Sequence, residues 1–172
     1  QSMGEGLSIS DYVLPRYLNR ADYLAAFVTT IGPGVRKLAS EWQNKGDYLA
    51  SHILQVLALE GAEAFAELLH KKIRAMWGFA DSNELDFQDL FRAKYQGRRF
   101  SFGYPACPRM DDQIQLWDLL EPEENIGVSL TEGNMMDPEG SVSALVFHHP
   151  QAKYFNLSGD DASRLEGKVG FK

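Results

Sequence analysis

The residues best suited to hold a charged small molecule lie in one stretch, residues 94–108, which reads KYQGRRFSFGYPACP. Arg99 offers a planar guanidinium fork that pairs two-pronged with a carboxylate. Gly103 lets the backbone take a positive φ and approach a ligand closely. Pro105 and Pro108 stiffen the loop after it. Ser101 and Phe102 can offer backbone groups to the edge of a heterocycle, and Tyr104 supplies an aromatic face with a hydroxyl. One cation, one phenol and a rigid irregular loop suit a zwitterionic ligand bearing an aromatic base; a proline-stiffened structural loop accounts for the same residues. Arg92, Lys94, Arg98 and Arg99 fall within eight residues, an arrangement open to two readings: an ordinary solvated loop, or a site for a small anion such as a carboxylate.

Other side chains with reactive potential carry less. Cys107 is the single thiol and no histidine lies near it in sequence, so it reads as a small buried side chain rather than a nucleophile. His148 and His149 are adjacent and would point to opposite faces of a strand, while His52 and His70 have no partners at ligand spacing. No metal site is expected.

The strongest periodic signal runs over residues 47–77, where Leu49, Ile53, Val56, Leu57, Ala64, Phe65, Leu68, Ile73 and Met76 recur at threes and fours. Between Ile53 and Leu69 the apolar residues nearly encircle the axis, which predicts a central helix buried all round. Glu60, Glu63 and Glu67 share one stripe of it. Residues 21–30 read as a strand stopped by Gly32, Pro33 and Gly34, and residues 35–43 as a short helix. Short helices are predicted over 87–94 and 114–120, the latter capped by Asp111 and Asp112. Residues 126–136 and 141–148 are strand-like, with a turn at Pro138, Glu139 and Gly140, and residues 153–157 suggest a third short strand. The fold class is α+β: an antiparallel β-sheet with a long central helix and flanking helices.

A chain of 172 residues, 44% hydrophobic, can bury one core and reads as a single domain, 1–172. Its net charge of −7 disfavours broad binding to nucleic acid or anionic membrane, both of which require surplus Lys and Arg. No apolar run is long enough to span a bilayer, and the lone cysteine fits a reducing compartment, so the expected location is the cytoplasm.

Arg99 followed by three residues and then GYPACP resembles the signature of the activation domain of cobalamin-dependent methionine synthase. Residues 62–70 (AEAFAELLH) resemble the family's long-helix segment at the family's spacing, and residues 130–132 (LTE), 141–143 (SVS) and 153–155 (KYF) follow in its order. Residues 10–12 and 21–27 resemble its earlier SDY and DYxxAF segments, so the resemblance covers roughly residues 7–157. It implies a module that binds S-adenosylmethionine and positions it for reductive methylation of cob(II)alamin. The implied partners are a neighbouring cobalamin-binding domain, which holds most of the cobalamin, and a flavodoxin or flavin reductase that supplies an electron. Carried over by position, Arg99 would pair with the methionyl carboxylate and Glu63 would help hold the amino group or ribose side. Ser101 and Gly103 would offer backbone to the adenine, Tyr104 would lie near the sulfonium, and Tyr154 and Phe155, on the last strand, would close the adenosyl pocket.

The match departs from the family in three places, one being Phe100 and Phe102, which replace the smaller Pro-Ala-Pro character common before the Gly-Tyr pair. After GYPACP the family continues with an acidic residue and a histidine, where this chain has Arg109 and Met110. The family's earlier Asp-Trp-x-Pro-Phe segment has no counterpart, so the expectation is the C-terminal part of an activation domain. Two alternatives stand beside that reading: a reactivation module acting in trans on another corrinoid protein, and an interaction domain that kept the fold without the ligand.

Overall fold

The structure is a computed structural model and describes residues 8–155. The apolar, β-branched run AAFVTT forms β1 (Ala25–Thr30), which Gly32 ends by turning at φ +96°. Helix α1 (Gly34–Asn44) leads through a tight turn into α2 (Tyr48–Met76), 29 residues long. A single turn of helix, α3 (Phe87–Phe91), precedes the three-residue strand β2 (Arg98–Phe100). Then come α4 (Ile114–Leu120), α5 (Pro122–Ile126), the two-residue strands β3 (Ser129–Leu130) and β4 (Met136–Asp137), and β5 (Ser141–Phe147).

Strand β5 is the centre of a three-stranded antiparallel sheet, with β1 on one side and β2 on the other. Its run SVSALVF is buried at six of seven positions because both faces of the sheet are covered. On one face Phe27, Val142, Ala144 and Val146 meet Ala62 and Ala66 of α2. On the other, Tyr12, Phe100 and Phe147 form an aromatic cluster with Ala106 and Ala152, and Phe102, Cys107 and Leu116 pack beneath α4. The α+β expectation, an antiparallel sheet carrying a long helix, is thus the architecture observed.

Several finer expectations are corrected. Helix α2 is not buried all round: one stripe, Ser51, Ala58, Ala62, Ala66, His70 and Arg74, faces the protein, while Leu49, Ile53, Leu57, Phe65 and Leu68 are exposed. Alanine at every fourth position lets the helix backbone approach the sheet closely, and a helix lying across one sheet face has only that side to bury. The strand expected over 126–136 is interrupted. Glu121 in the left-handed region and Pro122 at the first helical position start α5, Gly127 ends it at φ +68°, and Asn134 at φ +58° turns the β3–β4 hairpin. Of the last strand, expected over 153–157, the described residues 153–155 have no regular structure, and 156–157 lie outside the described residues. Asp111 and Asp112 do not cap α4. They fall in a 3₁₀ turn (Met110–Gln113), where Arg109 engages Asp111 at 2.7 Å and Asp112 at 3.4 Å.

Candidate functional site

Strand β2 is an edge strand, and it begins where Gly97, at φ +80°, passes so close to β5 that a Cβ would lie 2.5 Å from the Phe147 carbonyl oxygen. Arg99 stands opposite Val146, and neighbouring side chains on a strand point to opposite faces. Arg99 therefore projects to the α2 side, and Phe100 to the aromatic cluster beneath. The expectation that Arg99 belongs to an irregular loop is corrected here: a paired strand fixes its direction.

On the α2 side Arg99 meets two carboxylates one helical turn apart. Its Nη2 donates to Glu63 Oε2 at 2.8 Å, and its Nε lies 3.7 Å from Glu67 Oε2. The Arg99 side chain is 21% exposed and that of Glu63 49%, so the pair opens to solvent. Behind it lies a packed set of polar groups, in which Glu67 Oε1 and Arg74 Nη1 are buried without a hydrogen-bond partner among the described residues. The Tyr95 hydroxyl donates to Glu67 Oε2 at 3.3 Å. The Arg74 guanidinium stacks 3.7 Å over the Tyr95 ring and grips Asp81 with two bonds of 2.6 Å. Arg74 and Asp81 are both almost fully buried. His70 packs edge-on against Tyr95 with both ring nitrogens buried and, among the described residues, without a hydrogen-bond partner. Burial, aided by the Arg74 and Arg99 charges, pulls its pKa down to about 3, so the ring is neutral. Burial and the neighbouring Glu67 push the Tyr95 phenol up to about 12.

Past β2 the chain folds into a tight turn. The Gly103 N–H donates to the Cys107 carbonyl at 2.9 Å, and the Cys107 N–H donates to the Tyr104 carbonyl at 2.8 Å. Gly103 has φ +81°, and a Cβ there would lie 2.4 Å from Met110 Sδ. The turn buries Ala106 and Cys107 and leaves Tyr104 55% exposed. Burial, with a smaller push from Asp112, raises the Cys107 thiol to about 11, so it carries no thiolate at neutral pH. Gly103→Ala is expected to cost about 1–2 kcal/mol for the left-handed backbone alone. A Met110→Ala partner would relieve only the side-chain clash, so thermal unfolding of the double variant should recover part of the loss and not all.

Tyr154 stacks on Phe100 at 5.8 Å with 16° between the rings, and Phe155 tilts against it at 6.3 Å. Burial raises the Tyr154 phenol, helped by the nearby Tyr104 and Cys107. Of the sequence-predicted residues, Glu63 and Arg99 are thus in direct contact on one face of β2. Tyr154 and Phe155 gather on the opposite face with Tyr104 near, and Ser101 and Gly103 follow the strand between them. The basic cluster does not converge on one anion: Lys94 pairs with Asp89 at 2.6 Å, and Arg98 donates to the carbonyls of Tyr95 and Gly97. His148 is paired instead of free, at 2.8 Å from Asp22.

Over residues 1–165 the chain matches the family described as vitamin B12 dependent methionine synthase, activation domain. It belongs to that family. Methionine synthase of Mycobacterium leprae (strain TN) is 35% identical over 170 residues, a match covering 91% of this chain and 14% of that protein. A crystal structure of the MetH reactivation domain bound to AdoHcy is 38% identical with a TM-score of 0.82, covering 92% of this chain and 51% of that one. The chain therefore spans about half of that solved chain and a small part of the full-length relative.

In the sequence of this activation domain Glu67 falls on the glutamate stripe with no role assigned, His70 is weighed only as a metal ligand, and Arg74, Asp81 and Tyr95 are not singled out. The available signal was weak: only the spacing of Glu63, Glu67, His70 and Arg74 along one side of α2, with Tyr95 four residues before Arg99. Directly after GYPACP, Arg109 forms its local pairs with Asp111 and Asp112, and Met110 packs against Gly103 and the Phe102–Cys107–Leu116 cluster.

Proposed function

We propose that this activation domain binds S-adenosylmethionine and positions its sulfonium methyl for reductive methylation of cob(II)alamin, returning cobalamin-dependent methionine synthase to turnover. The observation that carries the reading is the Arg99–Glu63 pair, open to solvent and made of opposite charges 2.8 Å apart. An α-amino acid carries its own two charges on one carbon and matches such a pair: its carboxylate takes the Arg99 fork while its ammonium meets Glu63. The remainder of the ligand crosses edge strand β2. Backbone at Ser101 and Gly103 borders the adenine, the Tyr104 face lies by the sulfonium, and Tyr154 and Phe155 close the adenosyl side. Support for the ligand class comes from the relative bound to AdoHcy, the demethylated counterpart of this ligand.

The chain contributes positioning and charge matching to the methyltransferase and no acid, base or nucleophile of its own. The methyl acceptor in this reading is the cobalt of cobalamin held by a neighbouring domain, with the electron supplied by flavodoxin or a flavin reductase. No helix among the described residues is long and apolar enough to cross a membrane, and the reaction suits the reducing cytoplasm, where Cys107 stays a thiol. Calorimetric titration of S-adenosylmethionine into the 172-residue chain is expected to give saturable one-to-one binding. A chain that unfolds cooperatively yet binds no ligand would overturn the reading.

A further inference from the structure

Two carboxylates face Arg99, and they differ in how they are held. Glu63 is half exposed and has Arg99 as its partner. Glu67 is two-thirds covered and placed from three sides: by the Tyr95 hydroxyl at 3.3 Å, by Arg74 at 3.9 Å and by Arg99 itself at 3.7 Å. Tyr95 and Arg74 are in turn locked together by the stacking of the guanidinium on the ring and by the buried Arg74–Asp81 fork. When a ligand carboxylate displaces Glu63, Arg99 loses its closest partner. A free arginine side chain would then lose its orientation, and holding it again would cost rotamer entropy.

Resting on the S-adenosylmethionine reading, we infer that Glu67 is a positioning residue: it holds the Nε side of Arg99 so that the Nη1–Nη2 fork stays aimed at the ligand carboxylate after Glu63 moves to the ammonium. The charge balance behind the fork fits this role. The neutral His70 leaves Arg74 and Arg99 as the cations that touch the carboxylates Asp81, Glu67 and Glu63, with Arg98 set back 5.5 Å over the Tyr95 ring and bonded to backbone carbonyls. Glu67 acts through Arg99 and has no contact of its own with the ligand.

The test compares S-adenosylmethionine with decarboxylated S-adenosylmethionine, which has the same adenosyl and sulfonium groups but offers Arg99 no carboxylate. Glu67→Gln keeps the size of the side chain and removes its charge. It is expected to weaken S-adenosylmethionine about tenfold, the effect of one charge-assisted contact, while changing the decarboxylated ligand less than about twofold. Tyr95→Phe keeps the ring under Arg74 and removes only the hydroxyl that fixes Glu67, so a smaller loss with the same selectivity is expected. Equal losses on both ligands would mean general damage to the pocket and overturn the inference. So would no change, or tighter binding of S-adenosylmethionine, which is the result if Glu67 merely competes with the ligand for Arg99. Failure of the unaltered chain to bind either ligand is a separate outcome: it overturns the functional reading and this inference with it.

Discussion

Replacing Arg99 with alanine is expected to weaken S-adenosylmethionine binding about 100-fold, or roughly 2.7 kcal/mol, with the fold retained. Two effects add. The ligand carboxylate loses charge-assisted bonds to the fork, and Glu63 and Glu67 are left facing it with no cation between. The fold should survive because Arg99 lies on an edge strand and pairs with the half-exposed Glu63, whereas Phe100 and Phe147 anchor the opposite face. Arg99→Lys separates charge from geometry: it keeps the cation and loses the fork, so it should recover only part of the affinity. Calorimetry of both variants beside the unaltered chain checks this. Arg99→Ala binding at unchanged affinity would remove Arg99 from the site.

The largest stability effect is expected at Asp81. Its carboxylate makes two 2.6 Å bonds to Arg74, and both side chains are almost fully buried. Asp81→Ala would leave a guanidinium desolvated and short of partners, which costs about 3–5 kcal/mol. A domain of this size has about 5–15 kcal/mol in all, so the denaturation midpoint should fall steeply. Removing the stranded charge as well, in Arg74→Met with Asp81→Ala, should recover part of the loss; a double variant no better than the single one would contradict the account. Acid should act on the same region. The Arg74 bonds hold Asp81 below its ordinary value of 3.8, so its contribution is present at neutral pH and lost as the pH falls through the lowered value. His70 is depressed from 6.5 to about 3 and works in the same direction: the unfolded chain takes up that proton first, so stability declines as the pH drops from 6.5 towards 3. Urea unfolding followed across that range should show the decline begin well above the carboxylate range, and His70→Leu should remove its upper part.

Both effects depend on contacts that the linear chain does not announce. Glu63 and Arg99 are 36 residues apart; Arg99 reads as a fork for a carboxylate and Glu63 as one of a helix stripe, and nothing local says that the two meet. What was legible in sequence was local. The run SVSALVF has strand-like character, and AAFVTT followed by Gly32 the character of a strand with a stop. The threes and fours of residues 47–77 encode α2, and Gly103 with Pro105 and Pro108 encodes a turn that holds one conformation. The signature at residues 99–108 and its flanking segments also sufficed to mark the family, which the match over residues 1–165 bears out.

Tertiary structure alone decided which side of each element would be used. Periodicity says that α2 is a helix, but only the sheet beneath it selects the stripe of Ala58, Ala62 and Ala66 and leaves Leu49, Ile53 and Leu57 outside. Nothing local makes residues 98–100 a strand; pairing with β5 does, and the pairing register turns Arg99 towards Glu63 and Phe100 away. The Arg74–Asp81 fork, the neutral His70 and the placing of Glu67 likewise exist only once helix and sheet exclude water between them. Backbone propensity and hydrophobic period act over a few residues and can be read from neighbours. Charge pairing and burial depend on distances across space, and those are set only when the layers pack.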